Sequence, residues 1–554
     1  MGFLNALLAL LLSMLSIFNI FAGPNNVQRP ASTQQYEFLE YPAEAIISPS
    51  KAGLSVAQLT ARADDDGDDL YVNAQGYQDI NGIIESPYFT VHVEGEKVPV
   101  YATTVFVGTT QKGALHSFCE VYVDTSKDFS LQFQLNTRGF LINDVDIYPA
   151  AMSDTESYLN NVYNSLITEL GTYTFIFNGT DQEHGFTISV RELVDEDKEI
   201  AKYKAQYGEA NVVVLEKGYY PEYTHFSFVG TNNQVIYLKR GVYLVAKHQY
   251  DINNETDNTG NPDKIDTDEY ANNFIPMGLT RAPYLNFLGC SNIKLIGNGV
   301  IDLSHLDRGE RRGIAIAYCN NFTVEGLKFI NSPEWTFITY DSQNITIKNV
   351  DIYGYRQNSD AFAICNTRNA TIDNSFCRSG DDLFDVKTLG GEPTAISNNI
   401  TFTNCTAWNG KARCFGICGE VEKEISDVTF RDCAVVFHDA TWDYNRIPTI
   451  AIVVEVSNGF IQNVTFENIN IHQTKTRAIG CLIYGSGVEN FNISGIKYKN
   501  IRYNSSMANK FASNGKTTNR ISVELENVYA NYKKIFEVTS DNFETDQYAT
   551  ITVK

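Results

Sequence analysis

A short motif recurs along the second half of the chain, and it constrains the fold more than any other feature. The motif is Asn, an apolar residue, Thr and another apolar residue, with occasional polar replacements. Its copies begin at Asn292, Asn321, Asn344, Asn369, Asn399, Asp427, Asn463 and Asn490. The steps between successive copies are 29, 23, 25, 30, 28, 36 and 27 residues. A period in the twenties, with short β runs and no helical pattern, predicts a parallel β-solenoid.

The repeat also predicts where its side chains lie. Apolar residues at alternate positions would fill the interior of the coils, because the side chains of a strand alternate between its two faces. The recurring Asn would stack as a ladder at a turn. The long steps of 30 and 36 residues mark insertions. Insertions on one side of a solenoid build the walls of a groove, and we expect the segments 251–270 and 440–448 to be such loops.

The first half of the chain has a different pattern. Short runs of alternating polarity, separated by turn residues, occur at 88–93, 98–107, 129–135 and 173–177. This pattern is typical of an antiparallel β-sandwich. The predicted fold class is therefore all-β, with a β-sandwich followed by a parallel β-helix.

The predicted domain organisation has four parts. Residues 1–23 contain an apolar run followed by small residues, which reads as a secretory signal peptide and predicts a secreted, extracellular protein. An uncleaved membrane anchor is the competing interpretation, because no Lys or Arg precedes the run. Residues 24–45 are interpreted as a tether, 46–205 as the β-sandwich and 206–554 as the β-helix.

Charge and length limit the partners. A chain of 554 residues is long enough for two domains. Its formal net charge of −23 leaves no basic surface for phosphates and excludes nucleic acid as a partner. It also weighs against a polyanionic ligand. No second segment could cross a membrane, so we expect no membrane partner beyond the signal peptide, and we expect a monomer.

The ten cysteines allow two interpretations. In an oxidising compartment some of them could form disulfides, whose pairing the spacing does not give. Alternatively, most are small apolar side chains inside the coils, and we favour this interpretation. The spacing of Cys414 and Cys418 is not a metal-binding pattern, because no second cysteine or histidine pair stands nearby.

Three carboxylates are predicted to meet on neighbouring coils. The segment from Asp360 to Ile364 matches the segment from Asp382 to Val386 in its order of acid, apolar residue, Phe and β-branched residue. If the two segments stack as parallel neighbours, they lie about 4.8 Å apart, and Asp360 lies beside Asp382. Asp381 would point the other way onto the same surface. Like charges at this distance raise at least one pKa, as acid–base chemistry requires.

These residues resemble a known enzyme family. Asn-Ser-Asp360 on one coil and Gly-Asp381-Asp382 on the next are similar to the motifs of the polygalacturonase superfamily of glycoside hydrolases. The sandwich that precedes the solenoid also resembles the layout of the dextranase and isopullulanase family. Both resemblances imply a right-handed parallel β-helix and a polysaccharide or oligosaccharide substrate, with no cofactor and no metal.

The resemblance also implies roles for individual residues. Asp381 would be the general acid, and Asp360 and Asp382 would activate a water molecule. Room for that water would need carboxyl groups roughly 6.5–9.5 Å apart and would give inversion at the anomeric carbon.

Substrate-binding residues are expected at Arg413, Lys387, Arg446 and Trp408. The family's Gly-His-Gly and Arg-Ile-Lys motifs correspond here to the segments around Arg413 and Pro448, so its Lys is missing. Arg413 and Lys387 could instead be ion-pair partners of nearby acids, and Trp408 could be a buried core residue.

Two other classes of function remain open at this point. A polysaccharide lyase also uses a β-helix, and the Asp cluster could then hold Ca²⁺. A glycan-binding solenoid without catalytic activity would keep the groove but not depend on the carboxylates.

Overall fold

The computed structural model describes residues 35–47, 80–107, 112–149, 152, 156–179, 182–223, 226–247, 283–307, 310–390, 396–457 and 459–554. The predicted signal peptide and the segment 251–270 lie outside these ranges. Among the described residues the fold is a β-sandwich followed by a parallel β-helix, which confirms the predicted fold class.

The β-helix winds through three sheets, and most coils contribute one strand to each. The strands pair in parallel, except that Tyr529–Ala530 and Lys533–Lys534 at the end of sheet B pair antiparallel. Sheet A contains Val212–Leu215, Asn232–Leu238, Ser291–Gly297, Asn320–Glu325, Gln343–Lys348, Arg368–Asp373, Ser397–Thr403, Ile425–Arg431, Ile461–Glu467, Asn492–Lys499, Arg520–Glu526 and Ala549–Val553. Sheet B contains Gly218–Tyr223, Val242–Ala246, Val300–Asp302, Lys328–Ile330, Asp351–Tyr353, Phe376–Arg378, Thr406–Asn409, Ala434–His438, Asn470–Thr474, Arg502–Tyr503, Tyr529–Ala530 and Lys533–Lys534. Sheet C contains Phe226–Val229, Pro283–Leu288, Arg312–Ala317, Phe337–Tyr340, Phe362–Cys365, Phe384–Lys387, Phe415–Val421, Ile450–Ser457, Ile479–Ile483, Asn509–Ala512 and Phe543–Thr545.

The predicted Asn ladder is present on sheet A. The repeat residues have positive φ, a backbone conformation that Asn tolerates better than most side chains. The side chain of Asn369 donates to Asn344 at 3.1 Å, and Asn399 donates to Asn369 at 2.9 Å. A second ladder, which the sequence analysis missed, includes Asn468 and Asn500. Each ladder satisfies polar groups at a coil corner and keeps successive coils in register.

Aromatic stacks fill the coil interior. The rings of Phe402, Phe430, Phe466 and Tyr498 follow one another at centroid distances of 4.8, 4.9 and 4.9 Å. All ten cysteines are buried free thiols, which confirms their interpretation as small apolar side chains rather than disulfides.

The sandwich consists of two sheets. One contains Tyr36–Phe38, Ile84–Glu85, Tyr101–Val107, Lys112–Val123, Val145–Tyr148, Gly171–Phe177 and His184–Glu192; the other contains Phe89–Val93, Glu96–Val98, Leu131–Thr137, Ser157–Leu159 and Val162–Ile167. The pairing is antiparallel except between Lys112–Val123 and His184–Glu192, which run parallel.

The tether predicted through residue 45 is too long. Tyr36–Phe38 pairs with the strand Lys112–Val123, and Leu39, Tyr41 and Ala45 are buried. Apolar side chains at these positions hold the segment against the sandwich, so it belongs to that domain.

Short helices connect or end these elements. The α-helix Glu196–Tyr207 lies between the last sandwich strand and the first strand of sheet A, and the side chain of Asp195 accepts a hydrogen bond at its N-terminus. The 3-10 turns are Ala43–Ala45, Glu209–Asn211 and Thr441–Asp443. Throughout the described ranges, the helices are too short or too polar to cross a lipid bilayer.

The sandwich packs on the outer face of sheet B. Phe118 of the sandwich stacks on Tyr353 of the β-helix, with their ring centroids 5.0 Å apart. Buried charges cross the same interface, where Lys328 pairs with Glu120 and, at 3.3 Å, with Asp351. Sheet B is therefore covered, and a groove for a long ligand has to lie elsewhere.

Candidate active site

The predicted acidic residues lie at one edge of sheet C. Phe362 pairs with Phe384, and the amide of Ala361 donates to the carbonyl oxygen of Asp382 at 2.9 Å. This register places Asp360 beside Asp382, as predicted. Phe362, Ile364, Phe384 and Val386 all point into the core, which confirms their predicted orientation.

Gly380 makes the turn before the acidic pair possible. A Cβ atom at this position would collide with the carbonyl oxygen of Arg356 on the preceding coil. The amide of Gly380 also donates to Ser359 Oγ at 3.1 Å. The close approach of the two coils therefore explains why a residue without a side chain precedes Asp381 and Asp382.

The three carboxylates form one cluster. One oxygen from each of Asp360, Asp381 and Asp382 lies within 4.8 Å of the others. Asp360 and Asp382 are buried, and Asp381 is half-buried. The predicted crowding is present, and the nearest oxygens lie closer together than the roughly 6.5–9.5 Å predicted between carboxyl groups. Asp381 does not point away from the pair, because its Oδ1 turns back to accept the amide of Asp382 at 2.9 Å.

Arg413 holds Asp382 from the next coil. Its amide donates to Asp382 Oδ1 at 2.8 Å, and its Nη1 donates to Asp382 Oδ2 at 3.1 Å. Asp382 is thus fixed in position.

Burial and mutual repulsion raise two pKa values in the cluster. Burial, followed by the charge of Asp381, raises the pKa of Asp360 well above its usual range, against the opposing effect of Lys387. Burial and the charge of Asp382 raise the pKa of Asp381 to about 6, although Arg413 opposes the shift. The cluster consequently holds a proton at a pH where a lone carboxyl group would be ionised.

Lys387 lies beside the cluster but is engaged with other acids. Its Nζ is 2.9 Å from Asp385 Oδ2 and 2.8 Å from Glu420 Oε2, and it donates to the carbonyl oxygen of Cys418 at 2.8 Å. Burial would lower the pKa of Lys387, but the charges of Asp385 and Glu420 raise it well above its usual range. Asp382, Asp385 and Cys418 lie close enough together to bind a metal ion, yet the ammonium group already supplies a positive charge there.

The other predicted binding residues have different outcomes. Arg446 lies close to Arg413, since Nη2 of Arg413 donates to the carbonyl oxygen of Arg446 at 3.3 Å. Trp408 is buried under the sandwich with Arg378 over its ring at 3.9 Å. A buried ring cannot contact a ligand in the groove, so the prediction that Trp408 binds substrate is wrong.

Two residues of this region were not predicted from the sequence. The buried Asn409 donates to the carbonyl oxygens of Asp381 at 2.9 Å and Arg413 at 3.0 Å, and so links two coils. Glu455 Oε1 lies 3.1 Å from Arg413 Nη2 and 3.7 Å from Arg446 Nε. Neither residue belongs to the repeat motif, and only the folded arrangement of coils reveals their contacts.

Comparisons with known proteins find similarity in the part of the chain that contains the acidic cluster. Residues 302–546 match the model of glycosyl hydrolases family 28, and this range includes every member of the acidic cluster. The β-helix is therefore similar to the glycosyl hydrolases of family 28 over this range, which supports a glycosidase of the β-helix type.

Individual relatives are distant. Polygalacturonase QRT2 of Arabidopsis thaliana is 24% identical over 212 residues, which cover 36% of this chain and 44% of that protein. The chain thus spans less than half the length of this curated relative. Dex49A from Penicillium minioluteum shares the fold with a TM-score of 0.56 and 11% identity, over 85% of this chain and 95% of that one. An exopolygalacturonase from Thermotoga maritima covers 64% of this chain and 87% of its own, with 14% identity and a TM-score of 0.44.

Proposed function

We propose that this protein is a secreted glycoside hydrolase that cleaves the glycosidic bonds of a polysaccharide with inversion. The cluster of Asp360, Asp381 and Asp382 on neighbouring coils of a β-helix similar to the glycosyl hydrolases of family 28 carries this proposal. Secretion rests on the apolar run within residues 1–23, and N-terminal sequencing of the secreted protein should show that this segment has been removed.

Asp381 is proposed as the acid because it is the most accessible member of the cluster. Its proton passes to the glycosidic oxygen as the bond from that oxygen to the anomeric carbon breaks. A water molecule forms the new bond to the anomeric carbon and loses a proton to the pair Asp360 and Asp382. Exchange with solvent then returns the cluster to its starting protonation state.

Arg413 supports the division of roles within the pair. Both oxygens of Asp382 accept hydrogen bonds from Arg413. A carboxylate held in this way is a weak nucleophile toward carbon, but it can still orient a water molecule. Asp360 is the other member of the pair, and it is proposed to accept the proton from that water molecule.

The pH dependence tests the role of Asp381. We expect kcat/KM to fall as the pH rises through about 6, because a general acid works only when protonated and burial with the charge of Asp382 raises the pKa of Asp381 to about 6. Rates measured from about pH 4 to about pH 8 would show this alkaline limb. A profile that stays level between about pH 6 and pH 8 would exclude Asp381 as the acid.

The stereochemistry of the product tests the water mechanism. We expect the first product to have the anomeric configuration opposite to that of the substrate, as followed by ¹H NMR before mutarotation. Retention is the competing outcome, because the carboxylate oxygens lie closer together than the roughly 6.5–9.5 Å of most inverting enzymes. Retention would make Asp360 or Asp382 a nucleophile and would overturn the water step.

Reducing-end release from dextran, pullulan and polygalacturonate by the purified full chain tests the activity as a whole. Release from at least one of them supports the proposal. An unsaturated product would instead indicate a lyase, and binding without release would indicate a glycan-binding solenoid.

A further inference from the structure

The basic side chains closest to the acidic cluster are already paired with acids. Arg413 Nη1 and Nη2 contact Asp382 and Glu455, each at 3.1 Å. Arg446 Nε lies 3.0 Å from Asp443 and 3.7 Å from Glu455. Glu455 therefore stands between two guanidinium groups and balances the charge of both.

Lys387 repeats this arrangement on the other side of the cluster, where Asp385 and Glu420 neutralise its ammonium group. Carboxyl groups outnumber basic groups around the acidic cluster. The carboxyl groups are Asp360, Asp381, Asp382, Asp385, Glu420, Asp443 and Glu455, and the basic groups are Lys387, Arg413, Arg446 and Lys411. Few basic groups are therefore left to bind an anionic ligand.

This excess of carboxyl groups disfavours a substrate with a carboxylate on each sugar. Like charges repel, and the repulsion is strongest where the groups are partly buried. A uronic acid would also have to compete with Glu455 for the guanidinium groups of Arg413 and Arg446. A neutral sugar faces neither cost.

We infer that the substrate is a neutral polysaccharide and that Glu455 is the residue that excludes uronic acids. This inference rests on the proposed function and adds the substrate class. Glu455 forms ion pairs with Arg413 and Arg446. The first holds Arg413 in its contact with Asp382, and together they leave neither guanidinium group available to a sugar carboxylate.

Lys411 is the basic residue near the cluster that could still bind a uronate carboxylate. It follows Asn409 at the turn that contacts Asp381, and in the part of the chain that the structure describes it forms no ion pair. Its Nζ lies over the rings of Trp442 and Phe106, at 5.0 and 6.0 Å from their centroids. A uronate held by this ammonium group would make the substrate anionic despite Glu455.

The test compares kcat/KM on neutral glucans with kcat/KM on polygalacturonate. The wild type should prefer a neutral glucan. Glu455→Gln, which keeps the shape but removes the charge, should raise the ratio of polygalacturonate to glucan hydrolysis by about tenfold, the effect of one charge-assisted hydrogen bond. Glu420→Gln is the matched control, because it removes the same charge from the partner of Lys387. It should change the ratio by less than about twofold.

Each outcome is decisive. Preference of the wild type for polygalacturonate, together with its loss in Lys411→Met, would overturn the inference but leave the hydrolase proposal intact. An unchanged ratio in Glu455→Gln, or an equal rise in Glu420→Gln, would remove Glu455 as the determinant. If Glu455→Gln does not fold, Asp443→Asn releases Arg446 from its other partner and should shift the ratio in the same direction. Absence of cleavage on every glycan would reject the proposed function itself.

Discussion

The substitution Asp381→Asn should reduce kcat on the polysaccharide about 10³-fold, the usual contribution of a general acid. The amide keeps the shape of the side chain but has no proton to give to the leaving oxygen. KM should change little, since the ion pair between Arg413 and Asp382 stays in place. Steady-state kinetics on whichever polysaccharide the wild type cleaves would measure both parameters.

An aryl glycoside of the same sugar separates the acid from the other two carboxylates. Its leaving group departs without protonation, so Asp381→Asn should lose far less activity on it than on the polysaccharide. Asp360→Asn and Asp382→Asn should remain impaired on both substrates, because each removes help to the attacking water. Equal losses for Asp381→Asn on the two substrates would contradict the assignment of the acid.

Asp432→Asn is the matched control for these amide substitutions. Asp432 accepts a hydrogen bond from Asn468 in the second ladder. Other coils have Asn at the position that Asp432 occupies. Its replacement should leave both activity and melting temperature near those of the wild type. A large loss in this control would show that an Asp→Asn change harms the β-helix without involving the acidic cluster.

Trp408→Ala should destabilise the protein by about 3–5 kcal/mol, the usual cost of removing a large buried aromatic side chain. The ring is 1% exposed and lies where the sandwich meets sheet B. Arg378 stacks on it at 3.9 Å, and His116 of the sandwich approaches its edge at 5.8 Å. Truncation would leave a cavity and remove the partner of a buried guanidinium group.

Thermal and denaturant unfolding would measure this loss, and kinetics would show whether the groove is affected. Trp408→Phe keeps a ring and should retain the KM of the wild type. Trp442→Ala is the comparison, because Trp442 is 51% exposed, and its truncation should cost less than about 0.5 kcal/mol. A raised KM in Trp408→Phe, with unchanged stability, would restore Trp408 as a substrate-binding residue.

The position of the acidic cluster could be predicted from the sequence repeat. Asp360 and Asp382 occupy equivalent positions of successive coils, and in a parallel β-helix each strand pairs with its equivalent one coil away. A one-residue shift would turn Phe362 and Phe384 out of the core, so the pattern of apolar residues determines the register. The position of the cluster therefore follows from local pattern alone.

The features that the sequence did not predict also have a physical explanation. The separation of the carboxylates depends on side-chain torsions, and the hydrogen bond from the amide of Asp382 turns Asp381 toward its neighbours. Trp408 lies on an outward-facing position of a coil, where pattern cannot tell a groove from a surface that another domain covers. Glu455 matters through its contacts with Arg413, 42 residues away in sequence, and with Arg446, which lies in the loop before its own strand.

The amino-acid sequence by itself determined the two architectures, the register of the coils and the meeting of three carboxylates, because strand period and coil period act between near neighbours. Only the tertiary structure decided which face of the β-helix packs against the sandwich, how close the carboxylates lie, and which acids neutralise Arg413, Arg446 and Lys387. Those features depend on contacts between separate coils and between domains, where burial and charge pairing rather than local periodicity set the arrangement.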